Sequence, residues 1–203
     1  MTDAADWRER QAMAATAWDL TPDELVVTAC RHLRPGNALD LGAREGSNSL
    51  WLAGRGWRVT AVEPASVSVG RLQGRSALLS HPVDAIATDT VAYRPAPGAF
   101  DLILLSYLAL AEGQLRRLLA NAVPGLAGGG LVLVVGHDLS NLEGGWGGPR
   151  DPDLLTTHDH LADLLAALGL HVRRAEVVRR RIPGEVGVHT ALDHVVEAVR
   201  PAA

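Results

Sequence analysis

From Asn37 onwards, short apolar runs alternate with stretches of helical periodicity. Ala38 to Leu41 ends in Gly42, Trp57 to Glu63 in a carboxylate and Pro64, and Val83 to Ala87 leads to Asp89. Phe100 to Leu105 ends at Ser106 and Tyr107, and Leu131 to Val135 at Gly136 and His137. These runs lack clean polar alternation, as strands covered on both faces do. Between them, Leu115, Leu118, Leu119 and Ala122 fall on one helical face, and so do Leu161, Leu164, Leu165 and Leu168. Gly128 to Gly130 and Gly169 read as helix stops. Alternation of this kind predicts a doubly wound, Rossmann-like α/β sheet, mostly parallel.

The last third changes rhythm. Leu170 to Val178 and Val188 to Val199 are β-rich, with no helix between them, and predict an antiparallel C-terminal hairpin. Five runs and a hairpin make a seven-stranded sheet. Ahead of it, Asp3 to Ala17 and Pro22 to Leu33 predict an N-terminal helical cap, with Thr21-Pro22 as the cap and first position of the second helix. The expectation is a single domain over residues 1–203, with the cap in 1–35 and the core in 36–203.

Composition narrows the chemistry. The 203 residues carry a net charge of -4, eight His, one Cys (Cys30) and no Lys. A single Cys excludes a disulfide framework within one chain, and the absence of Lys excludes a P-loop or Schiff-base lysine. Proton transfer falls to carboxylates and His, because Arg does not titrate usefully. No apolar stretch approaches the ~20 residues of a membrane span, and no leader pattern opens the chain. The expected setting is cytoplasmic, without a membrane partner. The acidic balance argues against nucleic acid. The cluster Arg173, Arg174, Arg179, Arg180 and Arg181 on an edge hairpin is expected to block edge-to-edge pairing.

In an open α/β sheet, ligands bind beyond the carboxyl ends of the strands. Asp40, Glu63 and Asp89 stand at or near three such ends, beside the turn Gly42-Ala43-Arg44-Glu45-Gly46. Each acid alone is also explained as a turn cap or a solvated strand end. Three of them beside a glycine turn point to an adenosine pocket, with Glu63 placed to accept bonds from ribose hydroxyls. A dinucleotide fingerprint G-x-G-x-x-G fails at Arg44 and Ser47, which disfavours a nicotinamide enzyme. His137 is the leading general-base candidate, the other reading being a strand-end His bonded to backbone; His158 is a weaker one. His158 and His160 lie two apart, a poor spacing for a metal pair, and no metal is expected. Trp146, flanked by glycines, is either a substrate lid or a loop anchor. Trp7 and Trp18 either cover the site or pack in the core.

The stretch ALDLGAREGSNSLWLAGRGWRVTAVEPA, with FDLILLSYLAL, GGGLVLVVGHD and GGPRDPDLLT, resembles the class I S-adenosylmethionine-dependent methyltransferases. The likeness is to the small-molecule branch of tellurite-resistance and thiopurine type. WRERQAMAATAWDLTPDEL is similar to that branch's N-terminal helices. The resemblance implies S-adenosylmethionine as cofactor, held by Asp40, Gly42, Arg44 and Gly46 at the methionine end and by Glu63 at the ribose. It also implies that Asp89 and Thr90 face the adenine and Ser106 the sulfonium, with Tyr107 on the substrate side. A small-molecule acceptor is implied, and monomer and homodimer both fit. Arg44 departs from the family's middle glycine. Turned inward, its guanidinium pairs with the methionine carboxylate but repels the sulfonium by roughly 3 kcal/mol at ~6 Å and a dielectric of about 20. The alternative reading is therefore a catalytically weak or silent binding protein of the same fold.

Overall fold

The computed structural model describes residues 21–183 and 187–202. Trp7, Trp18 and the first helical pattern lie outside them. Helix α1 (Glu24–Cys30) leads to β1 (Asn37–Leu41), α2 (Ser47–Gly54), β2 (Arg58–Glu63), α3 (Ser66–Ser76) and β3 (Asp84–Ala87). Then come β4 (Phe100–Ser106), α4 (Glu112–Ala122), β5 (Leu126–His137), the short α5 (Asn141–Gly144), α6 (His158–Ala167), β6 (His171–Pro183) and β7 (Val188–Val199). The seven strands form one sheet in the order β3-β2-β1-β4-β5-β7-β6. Strands β1 to β5 are mutually parallel, whereas β7 runs antiparallel between β5 and β6.

Alternate residues of the central strands feed opposite layers, which is why the runs read as uninterruptedly apolar. Leu39, Ile103, Leu105, Val132 and Val134 pack with Leu115, Leu118 and Leu119 of α4 and Leu161 and Leu165 of α6. Ala38, Leu102, Leu104, Leu133 and Val135 pack with Val26 and Cys30 of α1, Leu52 of α2 and Leu72 of α3. No helix among the described residues is long and apolar enough to cross a membrane.

Three local expectations are corrected. Helix α1 starts at Glu24, two residues after Pro22 was to open it, because Asp23 Oδ1 accepts the Leu25 and Val26 N–H groups at 2.8 and 3.2 Å and is the N-cap. Trp57, the first residue of the second apolar run, lies just ahead of β2 rather than in it and is 2% exposed. The triplet Gly128 to Gly130 does not stop α4, which the turn Val123-Pro124-Gly125 ends; the glycines lie inside β5, where its register with β4 slips.

Candidate active site

The chain order reverses between β1 and β4, so the crevice of the sheet opens over their carboxyl ends. On one side of it, the turn after β1 takes the left-handed region at Gly42 (φ 77), Arg44 (φ 55) and Gly46 (φ 80). A Cβ on Gly46 would come within 2.3 Å of Leu72 Cδ1, and one on Gly42 within 2.8 Å of Leu108 Cδ1, so both positions demand glycine. Arg44 holds the same backbone class without being glycine, at a cost of about 1 kcal/mol. Glu63 at the tip of β2 clamps the turn: Oε2 accepts the Arg44 N–H and Oε1 the Ala65 N–H, both at 3.0 Å. A carboxylate has about four lone-pair sites. Two remain for a ligand.

Asp40 is 2% exposed and accepts the Ser49 hydroxyl at 2.6 Å. Burial pushes its carboxyl up to about 6 against the lowering effect of that bond. It supports the first turn of α2 from beneath. Asp89 Oδ1 accepts the Val91 N–H at 2.9 Å in an exposed turn beyond β3, and Thr90 beside it is buried with an unpartnered hydroxyl. Ser106 closes β4.

On the other side lies a cavity of about 290 Å³ over β4, β5 and β7. Arg44, Tyr107 and His137 line it, whereas Asp40, Gly42, Gly46, Glu63, Asp89, Thr90 and Ser106 do not. Behind its wall is Asp193, wholly buried on β7 and directly opposite His137 in the β5–β7 register. Its Oδ2 accepts Tyr107 O–H at 2.7 Å and Arg180 Nε–H at 2.5 Å, and its Oδ1 stands 2.9 Å from His137 Nδ1. Neither atom of that last contact has another hydrogen-bond partner. Burial raises the Asp193 carboxyl, but the His137, Arg180 and Tyr107 contacts outweigh it and hold it below the usual range. Burial, aided by Asp23 and Asp193, pushes the Tyr107 hydroxyl up, so it stays protonated. Asp23 and the buried His194 also line the cavity; burial depresses His194 to about 4.

The loop after β5 is clasped. Asp138, 2% exposed, accepts Ser140 N–H and O–H and the His158 N–H at 2.7 to 3.0 Å, and Asn141 bridges Gly147 and Leu192. His158 is thereby tied to Asp138 and does not line the cavity; His160 turns to Glu112 at 2.9 Å. The Trp146 ring stacks on His189 at 4.4 Å and 6°, and its backbone N–H donates to the Thr190 carbonyl at 3.0 Å. It is not one of the residues that line the cavity. Among the described residues no cluster of three metal-ligating side chains occurs.

Asp23, Arg180, Asp193 and His194 were not singled out from the sequence as site residues. Asp193 lies 56 positions from His137 along the chain, and only the antiparallel insertion of β7 joins them. Asp193 shares β7 with His189, Thr190, His194 and Glu197, so no local signal set it apart.

Fold and crevice define a Rossmann-like protein of the methyltransferase type. The family model described as tellurite resistance protein TehB matches residues 10–136, and the chain belongs to that family. The structure superposes on TehB from Haemophilus influenzae with a TM-score of 0.71 at 17% identity, over 88% of this chain and 62% of that one. It also matches the Burkholderia thailandensis 1,6-didemethyltoxoflavin-N1-methyltransferase, solved with 1,6-didemethyltoxoflavin and S-adenosylhomocysteine (TM-score 0.69, 19% identity, 97% and 84% covered). The [4+2]-cyclase SpnF matches as well (0.66, 19%, 89% and 80%), so the fold by itself does not dictate methyl transfer. No curated protein matches the sequence.

Proposed function

We propose that this protein transfers a methyl group from S-adenosylmethionine to a small-molecule acceptor, in the cytoplasm. The observation that carries the reading is Glu63, fixed by two backbone N–H groups beside a left-handed turn at the sheet's switch point, with lone pairs to spare. These residues fit the cofactor. Glu63 accepts the ribose hydroxyls, Asp89 and Thr90 face the adenine, and the turn from Gly42 to Gly46 with Asp40 beneath it supports the methionine end. Ser106 stands beside the sulfonium. When bound, the cofactor supplies an already activated methyl group, so the chain has to position an acceptor in line and take any proton it carries.

The acceptor belongs in the cavity over β4 and β5, with Tyr107 in its wall and His137 as general base. Trp7, Trp18 and Trp146 are left with no role assigned in this reading. Calorimetric titration with S-adenosylhomocysteine tests it. Binding is expected in wild type, and Glu63→Ala is expected to weaken it roughly a hundredfold through two lost charge-assisted bonds of about 1.5 kcal/mol each. Affinity unchanged in Glu63→Ala refutes the ribose assignment.

Arg44 gives a specific reason to keep a weaker-binding variant of this reading. It lines the cavity and holds the backbone slot of a glycine, so its side chain shares space with the ligand.

A further inference from the structure

Leu108, Leu110, Leu115, Leu155 and Leu161 line one part of the cavity, whereas Asp23, Tyr107, His137, Arg180 and His194 gather around Asp193, with Thr156 and Arg44 as the other polar residues of the wall. A bare oxyanion gains nothing from leucines and loses hydration to them. An apolar body with one polar end suits such walls. The polar end is also organised. Asp193 does not line the cavity, so it acts only through its neighbours. Arg180 and the Tyr107 hydroxyl satisfy Oδ2 and keep the carboxyl ionised, leaving Oδ1 for His137 Nδ1.

Resting on the methyl-transfer reading, we propose that the cavity takes an apolar acceptor bearing one phenolic hydroxyl, and that Asp193 is a positioning residue that fixes His137 to receive its proton at Nε2. An ionised carboxylate at Nδ1 puts the ring proton there and leaves Nε2 bare, as in other carboxylate–histidine pairs. The 2.9 Å contact joins two buried atoms that have no other partner. Gly148 packs on the ring, where a Cβ would come within 2.6 Å of Cδ2, and Tyr107 meets its edge with ring centroids 5.1 Å apart. The imidazole is held from two sides. A phenol, ionising near ~10, is protonated at neutral pH and needs such a base, whereas a thiol near ~8.5 ionises partly unaided. In the step, the hydroxyl proton passes to Nε2, the oxygen lone pair forms the O–CH₃ bond, and the CH₃–S bond breaks with its electrons going to sulfur. Positive charge moves from sulfonium to imidazolium, next to Asp193.

The test uses the protein saturated with S-adenosylhomocysteine and three probes: 2-naphthol, naphthalene and selenite. Calorimetry is expected to show 2-naphthol binding severalfold tighter than naphthalene and no selenite binding. Nitrogen-15 NMR of labelled histidines is expected to show His137 protonated at Nδ1 in wild type and a mixture of tautomers in Asp193→Asn. With S-adenosylmethionine, Asp193→Asn and His137→Gln are each expected to lower kcat for 2-naphthol about a hundredfold with KM little changed. Methylation of 2-naphthalenethiol is expected to fall less. Asp193→Glu is expected to restore part of the loss; His137→Gln carries the kinetic test alone if Asp193→Asn does not fold. Selenite binding without 2-naphthol binding, or a His137 tautomer indifferent to Asp193, overturns the proposal. Failure of S-adenosylhomocysteine itself to bind overturns the underlying methyl-transfer reading instead.

Discussion

The tips of β1 to β3, and the tips of β4 and β5 with the middle of β7, border one crevice but are built differently. The first region is organised by backbone: a turn with three left-handed residues, clamped by Glu63 through main-chain N–H groups. The second is organised by side chains: Tyr107, His137 and Arg180 gathered around the buried Asp193. A backbone cradle suits a ligand of constant shape, because main-chain donors do not depend on side-chain identity. A side-chain network suits a partner whose chemistry differs among relatives of one fold. Arg44 is the residue common to both, in the turn of the first and the wall of the second.

That shared residue offers the largest effect separating the two regions. Arg44→Gly removes a guanidinium from the cavity wall, where the proposed cofactor's sulfonium would feel its charge, and relieves left-handed strain. S-adenosylmethionine binding is expected to tighten ten- to a hundredfold, about 1.4–3 kcal/mol. S-adenosylhomocysteine, whose sulfur is neutral, should tighten much less. Equal changes for the two ligands in calorimetry would show that the guanidinium does not sense the charge.

A second, smaller contrast lies in pH. Asp40, raised to about 6 by burial, contributes stability that is present below its unfolded value near ~3.9 and is lost as pH rises to 6, up to about 3 kcal/mol. His194, depressed to about 4 by burial, contributes stability that is present above its unfolded value near ~6.5 and is lost as pH falls to 4, by a similar amount. The two slopes oppose each other, so wild type is expected to change little in stability between pH 4.5 and 6. Asp40→Asn removes one slope and exposes the other. Urea unfolding of this variant should give higher stability than wild type at pH 7 and a steeper loss towards pH 4.5. A pH profile parallel to wild type would place the acid response elsewhere.

Trp146→Ala is the smallest perturbation. Its ring lies on His189 and outside the cavity, so the expected cost is about 1 kcal/mol of stability, with S-adenosylhomocysteine affinity within twofold. A tenfold loss of affinity would return Trp146 to the site.

Much of the architecture was legible before folding. Apolar runs punctuated by glycine and carboxylates gave the alternating core, and the uninterrupted β-rich end gave the hairpin, because strand period and turn chemistry are local properties. The cradle at Gly42, Arg44, Gly46 and Glu63 was readable for the same reason: its members sit within about twenty residues and depend on φ and on one strand end. Local reading failed where competing signals were equally local. Asp23 outbid Thr21 as a cap, and a glycine triplet that reads as a helix stop lies within a bulged strand.

The cavity wall was decided by the tertiary structure. Tyr107 follows β4, while His137, Arg180 and Asp193 belong to β5, β6 and β7, and no spacing along the chain encodes that β7 enters the sheet between β5 and β6. That insertion sets His137 opposite Asp193 and brings Arg180 diagonally beside it. Sequence alone determines what neighbouring residues do to one another's backbone; which distant charges share a buried space is settled by how the sheet closes.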